Sequence, residues 1–177
     1  MRLTMETQRL ILRPFELNDA QAVFDGWASD PEVTKYLTWN PHQSLETTKQ
    51  VVGLWVEQYK KPERLNFAIV LKDSGELIGG IDVVGYLGGV NGTPVLGCAT
   101  GRKYWNSGYV TEALKCLLTF LFARGYEEIR IDAQVENLGS NRVIQKCGGQ
   151  LLRTEEDERP LKNDKVMINR YIVRRPE

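Results

Sequence analysis

The residues of this chain best suited to chemistry stand together in one short stretch, Arg102–Thr111. Two basic and two aromatic residues precede a polar turn, Asn106–Gly108, and an apolar helical pattern begins at Thr111. The first backbone N–H groups of a helix have no partner within it and lie at the positive end of its dipole. Glycine and asparagine accept the backbone angles that let such a turn approach a bound group closely. The stretch therefore has the features of a phosphate or pyrophosphate site, although a surface turn that leads into a core helix would share them.

Two better-known nucleotide-binding patterns are absent from the sequence. A P-loop would need a Gly-Lys-Ser or Gly-Lys-Thr triplet, and the chain contains neither. A dinucleotide fingerprint would need several glycines in the turn, where only Gly108 stands. A nucleotide-bearing ligand held by backbone amides remains consistent with the sequence.

The overall composition restricts what the stretch can serve. Lys and Arg together number 23, as do Asp and Glu, so the chain has no net charge and lacks the basic field of a nucleic-acid-binding protein. A single histidine, His42, argues against histidine metal sites and Ser-His-Asp catalysis, so we expect no metal. With 177 residues, 42% of them hydrophobic, the chain is predicted to form one domain over residues 1–177.

The same sequence predicts a cytoplasmic protein without a membrane partner. The N-terminal segment up to Phe15 lacks an apolar region followed by small residues, so no signal peptide is predicted. No apolar run is long enough to span a membrane. The three cysteines, Cys98, Cys116 and Cys147, are odd in number and far apart, which is typical of reduced core positions rather than of disulfides.

Periodicity and turn signals predict the elements that position these residues. Helices are predicted after Asn18-Asp19, after Ser44, from Thr111 and over Gly139–Cys147. Strands are predicted over Gln8–Phe15, Leu65–Lys72, Leu77–Tyr86, Thr93–Gly101, Arg130–Val135, Gln150–Glu156 and Val166–Val173. Hairpin signals lie at Asp73–Glu76 and at Asn91-Gly92.

The order of these elements predicts the fold class. A strand and two helices are followed by three consecutive strands, which excludes a plain doubly wound sheet. The strand–helix–strand unit of the second half adds one parallel crossover. We therefore expect an α/β (α+β) fold, with a mixed, mostly antiparallel central sheet of about seven strands and helices on both faces.

Three segments of the chain together resemble one family. These are YWNSGYVTEAL at Tyr104–Leu114, NLGSNRVIQKCG at Asn137–Gly148 and TQRLILR at Thr7–Arg13. In this order and spacing they resemble the GNAT N-acetyltransferases, and within that superfamily the branch that acetylates ribosomal proteins at their N-termini (the Rim type). The resemblance covers nearly the whole chain. It implies acetyl-CoA as co-substrate and an amine as acceptor.

The resemblance also implies which residues hold acetyl-CoA. The family's pyrophosphate loop falls on Lys103–Gly108, where Lys103 and Asn106 depart from its usual residues. Backbone amides there would hold the pyrophosphate, and the acetyl-pantetheine arm would lie where the strand ending near Gly101 separates from the strand at Ile131–Val135. The implied cofactor-binding residues are Gly101, Arg102, Lys103, Tyr104, Trp105, Asn106, Ser107, Gly108, Tyr109, Val110, Thr111, Asn137, Ser140, Asn141 and Lys146.

The candidate catalytic residues are Ser140, Asp82 and Glu158. Acetyl transfer to an amine needs a base for the amine, donors for the oxyanion and an acid for the leaving thiolate. Many relatives use a tyrosine as the acid, but its position here is Ile144. The resemblance assigns the role to Ser140, which could equally serve only at the helix start or in cofactor binding. Asp82 and Glu158 are the candidate bases, and each could equally be a solvated surface group.

A protein or peptide α-amine is the first choice of acceptor. Its pKa is about 8, so a modest base is enough to deprotonate it at neutral pH. Trp39 and His42 are candidate acceptor-binding residues, since this fold places its acceptor loop between the first two helices; a tryptophan packed in an ordinary loop is the alternative. A small amine, such as an amino acid, a polyamine or an aminoglycoside, is the second choice. The missing tyrosine also leaves a non-catalytic acyl-CoA sensor as a rival hypothesis. A monomer and a homodimer are both consistent with the sequence.

Overall fold

The computed structural model describes residues 3–90 and 92–177, which contain eight strands and five α-helices. The strands are β1 (Met5–Glu6), β2 (Leu10–Pro14), β3 (Asn66–Leu71), β4 (Leu77–Leu87), β5 (Thr93–Thr100), β6 (Glu128–Gln134), β7 (Gln150–Arg159) and β8 (Asp164–Arg174). The helices are α1 (Ala20–Val23), α2 (Pro31–Thr34), α3 (Leu45–Gln58), α4 (Tyr109–Ala123) and α5 (Leu138–Lys146).

The strands form one sheet in the order β1-β2-β3-β4-β5-β6-β8-β7. β5 and β6 run parallel, and the other neighbouring pairs of the described strands are antiparallel. The mixed, mostly antiparallel sheet predicted from the sequence is confirmed. It has one strand more than expected, because the two-residue edge strand β1 is too short to show a periodicity.

Helices cover both faces of the sheet, as predicted. On one face the apolar stripe of α4, with Leu114, Leu117 and Leu121, packs with Ile144 of α5 against inward residues such as Ile131. Burial of each such side chain contributes about 1.5–3 kcal/mol. On the other face the apolar sides of α1, α2 and α3 cover the first half of the sheet; this second core contains Phe15, Ala20, Val23, Trp27, Ala28, Val33, Val52, Ala68, Val70 and Leu77.

The region of the first predicted helix differs from the expectation. After α1 the chain forms a π-helical turn, Phe24–Ala28. Pro31 was expected only to mark the end of the preceding helix, but it also begins a separate helix, α2. Proline suits the first turn of a helix because its missing N–H needs no partner there. Asp30 caps α2 by accepting from the Glu32 N–H at 2.9 Å. The predicted helix is therefore present as α1 continued by the π-helical turn and ends before Pro31, and α2 is an additional short helix that the spacing did not predict.

Several local signals in the sequence do mark the observed ends. Ser44 caps α3 by accepting from the Thr47 N–H at 3.2 Å, and Gly125, with φ of 94°, follows α4. The predicted turn at Asn91-Gly92 falls partly outside the described residues, because Asn91 is not among them. All three cysteines are free, as expected. Among the described helices, none has the length and apolar character to cross a bilayer.

Candidate active site

A gap opens in the sheet between the two parallel strands. β5 and β6 pair only at Val95 with Arg130 and at Leu96 with Ile131. β5 continues to Thr100 and β6 to Gln134, but the two strands do not pair with each other beyond Leu96 and Ile131. They therefore diverge from this point. Backbone groups on diverging edges are left free to bind a ligand. The separation of these two strands, which the resemblance implied, is present.

A cavity of about 590 Å³ passes through this gap. On the α4 and α5 side it is lined by Val110, Leu114, Ser140, Val143 and Ile144. On the opposite side it is lined by aromatic rings and by charged groups, which are Phe15, Trp27, Tyr36, Trp39, Trp55, Asp82, Asp132, Asp157 and Arg170. Since the lining comes from both faces, the gap connects one face of the sheet with the other.

The predicted anion loop has the backbone geometry that an anion site needs. Asn106 and Gly108 have φ of 59° and 78°, and Gly108 is the residue before α4. The first backbone hydrogen bond of α4 runs from the Glu112 N–H to the Gly108 carbonyl, at 3.0 Å. The N–H groups of the helix's first turn, from Tyr109 to Thr111, therefore point out of the helix start without an acceptor in it. This arrangement suits phosphate oxygens.

The two basic side chains before the turn are not free cations. Arg102 pairs with Asp30, Nε to Oδ2 at 2.6 Å, and Lys103 pairs with Glu76, Nζ to Oε1 at 3.1 Å. Both bases are well exposed, and their partners neutralise much of the positive charge expected from the sequence. Binding of an anion here therefore depends mainly on the backbone.

Glu112 and Arg9 brace the loop from the edge of the sheet. Glu112 accepts from the Thr7 hydroxyl at 2.5 Å, from the Arg9 N–H at 2.8 Å and from Arg9 Nε at 2.7 Å. Arg9 Nη1 also donates to the Ser107 carbonyl at 3.0 Å, and its guanidinium lies over the Tyr109 ring. Burial acts against the charge on Glu112, but the hydrogen bonds from Thr7 and Arg9 hold its pKa below the ordinary value. No local pattern indicates a role for Arg9, because its partners lie about a hundred residues away in the sequence.

Helix α5 places Ser140 at the gap. Asn137 caps this helix, its Oδ1 accepting from the Ser140 N–H at 3.1 Å. Ser140 is therefore the third helical residue and not the cap, so its hydroxyl is not used for capping. Both residues line the cavity. The position of Ser140 leaves the roles of acid and of cofactor contact open to it.

Asn141 corrects the implied cofactor set, because it lies in the core. Its amide donates to the carbonyls of Gln134 and Asn137 at 2.9 and 2.7 Å, and it accepts from Asn169 Nδ2 and the Tyr171 hydroxyl at 2.9 and 2.6 Å. These four bonds use the full capacity of an amide side chain. Asn141 therefore joins α5 to β6 and β8 and has nothing left for a ligand.

Lys146, also implied to touch the cofactor, is exposed at the last residue of α5. It lies six residues beyond Ser140, or about 9 Å along the helix axis. Only an extended part of a ligand would reach it.

Asp82 lies beside the opening of the gap. It pairs across the sheet with Asn66 of β3 and Gly97 of β5, one residue beyond the last β5 position paired with β6. A Cβ at Gly97 would lie 3.2 Å from Asp82 Oδ1, so the glycine leaves room for the carboxylate above the diverging strand. Burial raises the pKa of Asp82 to about 7, against the opposing charge of Arg64. The group can therefore take up and release a proton near neutral pH.

Cys98 follows Gly97 on β5 and lines the same cavity. Burial, together with the charge of Asp82, raises the pKa of its thiol to about 12. A thiol in this state is protonated and is a poor nucleophile.

Glu158, the other candidate base, lies away from the cavity. It is exposed on β7 and approaches Lys165 of β8, Oε1 to Nζ at 3.6 Å. The neighbouring Asp157 lines the cavity instead, because side chains alternate between the two faces of a strand. The structure thus corrects the placement expected for Glu158.

Arg170 joins three carboxylates at the cavity wall. It donates to Asp132, Glu155 and Asp157 at 2.7, 2.8 and 2.6 Å. The sequence analysis missed this group. The alternation along β6, in which Arg130 and Asp132 alternate with Ile129 and Ile131, is a signal that could have indicated a polar face there.

The loop between α2 and α3 brings one of its two candidate residues to the cavity. Trp39 lines it, whereas His42 lies behind, with ring centroids 5.0 Å apart. The Nδ1 atom of His42 lies 2.8 Å from the Thr48 hydroxyl, and burial lowers the pKa of the imidazole. His42 therefore supports Trp39 and does not itself contact the cavity.

Three residues, Arg159, Asn40 and Leu161, fasten this loop to the turn between β7 and β8, and we call them the clasp. Arg159 Nη1 donates to the carbonyls of Lys35 and Leu37 at 2.8 and 3.2 Å. Asn40 Nδ2 donates to the Leu161 carbonyl at 2.8 Å. Asp164 holds Arg159 in turn, accepting from its Nε at 2.7 Å. The clasp thus fixes the loop that carries Tyr36 and Trp39.

Over residues 3–90 and 92–177 the structure shows no cluster of three or more His, Cys, Asp or Glu side chains arranged to hold a metal ion. The aromatic lining at Phe15, Trp27, Tyr36 and Trp55 was not predicted. Apolar spacing marks such residues as buried but does not distinguish a cavity wall from a packed core.

Comparison with known proteins places this geometry in a family. Residues 9–150 match the sequence model of the acetyltransferase (GNAT) domain. The chain is 32% identical over 135 residues to the uncharacterized N-acetyltransferase p20 of Bacillus licheniformis, covering 75% of this chain and 73% of the relative. It is 33% identical over 143 residues to YnaD of Bacillus subtilis, another uncharacterized N-acetyltransferase, covering 80% and 79%.

Solved structures agree with this match. A GNAT-family acetyltransferase of Bacillus anthracis superposes with a TM-score of 0.84 and 28% identity, over 97% of this chain and 98% of the other. At the level of the fold alone, the ribosomal L7/L12 N-acetyltransferase RimL superposes at 0.82 with 19% identity, covering 98% and 95%. The self-immunity acetyltransferase MccE, whose structure contains acetyl-CoA and AMP, superposes at 0.83 with 17% identity, covering 95% and 93%.

Proposed function

Because this chain belongs to the GNAT family of N-acetyltransferases, we propose that it transfers the acetyl group of acetyl-CoA to the α-amine of a protein or peptide. The observation that carries the proposal is the cavity through the sheet, with the anion loop at one side and Asp82 at the other. The fold shared with RimL supports an N-terminal acceptor, and the fold shared with MccE supports acetyl-CoA as donor.

The residues present fit acetyl-CoA. The amides from Asn106 to Thr111 would hold its pyrophosphate, and the unpaired edges of β5 and β6 would hold its amide-bearing arm. Ser140 and Asn137 would contact the arm from α5. When bound, acetyl-CoA supplies an activated thioester.

Asp82 is the proposed general base. It accepts a proton from the acceptor's ammonium or attacking amine, and a carboxylate with a pKa of about 7 is well matched to that step at neutral pH. The amine nitrogen forms a bond to the thioester carbon, and the C–S bond then breaks. Unpaired N–H groups on the β5 edge are available to the oxyanion.

Ser140 is the proposed acid for the leaving thiolate. Its position at the gap and its freedom from capping support this role. Burial raises the pKa of the Cys98 thiol, which does not favour it as an acetyl carrier. The proposed transfer is therefore direct from thioester to amine.

The experiment that tests this function measures thiol release from acetyl-CoA with peptides that have free N-termini. The same peptides blocked at the N-terminus, some with an internal lysine, and a panel of polyamines serve as controls. We expect turnover with free N-termini and an acetyl group on the α-nitrogen by mass spectrometry. Turnover only with small amines would contradict the proposed acceptor, and tight acetyl-CoA binding without any turnover would favour the sensor.

Substitution of Ser140 separates its two candidate roles. We expect Ser140→Ala to lower the single-turnover rate of the bound complex by about 10²-fold, in the range of general acid catalysis, with little change in the Kd for acetyl-CoA. Ser74→Ala, in the exposed turn between β3 and β4, is the control. A raised Kd with an unchanged single-turnover rate would make Ser140 a binding residue only.

A further inference from the structure

Five aromatic side chains lie on one wall of the cavity. Three of its four tryptophans, Trp27, Trp39 and Trp55, line the cavity, together with Phe15 and Tyr36. The fourth, Trp105, stands in the anion loop and donates from Nε1 to the Thr100 carbonyl at 3.0 Å. The ring-lined wall therefore lies on the acceptor side, away from the proposed cofactor loop.

The rings of this wall are held in fixed orientations. Phe15 and Trp55 pack with their centroids 4.8 Å apart, and Trp39 packs on His42. Phe15 and Trp27 are almost fully buried and form the back of the wall, whereas Tyr36, Trp39 and Trp55 are half-buried. Half-buried rings at the edge of a cavity present apolar surface to whatever occupies it, and aromatic partners prefer such offset or tilted contacts.

Charge in the same region is limited to a few groups. The charged residues of the lining are Asp82, Asp132, Asp157 and Arg170. Asp132 and Asp157 both accept hydrogen bonds from Arg170. Arg130 and Arg153 also pair with Asp132 and Glu155, so the charge of this group of carboxylates is largely compensated. Asp82 lines the cavity and makes no hydrogen bond to Arg170. It lies near the aromatic wall, because Asp82 and Trp55 also line a second, smaller cavity. The site thus offers one carboxylate outside the Arg170 group, with Arg64 beside it, and a wall of rings.

We propose that the acceptor is an α-amine whose own side chain is aromatic. Its amine would lie at Asp82 and its ring against Trp39, Tyr36 and Trp55. A polyamine or an aminoglycoside carries several separated cations, for which this wall has too few uncompensated carboxylates. A residue with a small side chain would leave the apolar wall in contact with water. The inference rests on the proposed function, because it names the acceptor of that same site.

A matched series of acceptors tests the inference. Tetrapeptides that differ only in the first residue, Phe, Tyr, Trp, Leu, Ala or Ser, are compared at saturating acetyl-CoA, together with the amides of the same amino acids. We expect kcat/KM for the aromatic members to exceed that for Ser and Ala at least tenfold. Equal or higher values for Ser or Ala would overturn the inference and leave the proposed function intact. Absence of turnover with every amine would overturn both.

Comparison of the tetrapeptides with the amino acid amides identifies the source of the amine. A peptide acceptor predicts higher kcat/KM for the tetrapeptides than for the amides, and a free amino acid predicts the reverse. Either result supports an aromatic α-amine as long as the preference for aromatic members holds in that arm.

Variants of the wall show whether these rings make the selection. We expect Trp39→Leu and Tyr36→Leu each to reduce the preference for Phe over Ala to about threefold or less, with unchanged Kd for acetyl-CoA. Leu54→Ala, on the exposed side of α3, is the matched control and should keep the full preference. An unchanged preference in both folded wall variants would overturn the role of the wall.

Discussion

The two sides of the cavity are built in different ways. The proposed pyrophosphate site on the cofactor side is a continuous stretch, Arg102–Thr111, whose proposed role depends on backbone angles and a helix start. The acceptor side is assembled from side chains that eight separate segments contribute, among them Phe15, Trp39, Asp82 and Arg170. A site built from backbone N–H groups needs only a few consecutive residues that accept the required backbone angles. A site built from side chains needs the fold to bring distant segments together. Changes to the two sides should therefore affect different steps of the reaction.

Loss of the Asp82 carboxylate should have the largest effect. Asp82→Asn keeps the size of the side chain but removes the base, so we expect kcat/KM for the amine to fall by about 10²–10³-fold. The Kd for acetyl-CoA should stay within about twofold, because the anion loop is unaffected. Steady-state kinetics and calorimetry check the two quantities. Asp73→Asn, in an exposed turn, is the control, and an active Asp82→Asn enzyme would remove the proposed base.

A side chain at Gly108 should have the next largest effect, now on the cofactor side. Gly108 has φ of 78°, where an L-residue is strained by roughly 1–2 kcal/mol, so alanine would shift the amides of the helix start. We expect Gly108→Ala to raise the Kd for acetyl-CoA by about tenfold while KM for the amine changes little.

Gly75 provides a matched control for Gly108. It has φ of 71° in the turn between β3 and β4, with open space around it. Gly75→Ala should lower the melting temperature about as much as Gly108→Ala does but leave the Kd for acetyl-CoA unchanged. Equal Kd values in the two variants would contradict a backbone site at Gly108.

Removal of the clasp should have a moderate effect on the acceptor side. Arg159→Ala removes the hydrogen bonds of this arginine to the carbonyls of Lys35 and Leu37, so the loop that carries Trp39 is held by fewer contacts. We expect KM for the amine to rise by about three- to tenfold, with unchanged Kd for acetyl-CoA. Asn40→Ala, which removes one hydrogen bond and keeps the Arg159 ion pair, should give a smaller rise. Arg174→Ala is the control, because that arginine lies at the far end of β8, and a change in acetyl-CoA affinity alone would contradict this role.

The smallest effect is expected from Lys103, one of the two basic residues at the start of the loop. Lys103 is exposed and already paired with Glu76, and such surface pairs contribute about 0–1 kcal/mol. We expect Lys103→Ala to raise the Kd for acetyl-CoA by no more than about threefold, as measured by calorimetry at moderate salt. A rise of twentyfold or more would show that side-chain charge, and not the backbone, holds the anion.

The contrast between the two sides explains what the sequence could predict. The turn at Asn106–Gly108 before a helix, the order of the strands along the chain and the cap at Ser44 follow from local patterns, and the structure shows them. The separation of β5 from β6 was implied only by the family resemblance, and its start after Leu96 is seen in the structure. The pairing of Glu112 with Arg9 and the clasp at Arg159 join residues about a hundred or more positions apart, so no local pattern indicates them.

Two errors of the sequence analysis have the same cause. Asn141 carries the right residue type for cofactor binding, but its four hydrogen bonds lie inside the protein. Glu158 and Asp157 are neighbours of the same chemistry, and only the face of β7 on which each side chain lies brings Asp157 to the cavity. Residue type indicates what a side chain can do, whereas the packing of distant segments decides where it does it.

The most direct test of the account is the pH dependence of kcat/KM for the amine in the wild type and in Asp82→Asn. A base with a pKa near 7 is active when deprotonated, so the wild-type value should rise with pH through about 7 and again as the amine itself deprotonates near 8. Asp82→Asn should lose the rise near 7 and keep the one that belongs to the amine. Identical pH profiles in the two enzymes would contradict the assignment of Asp82 as the base.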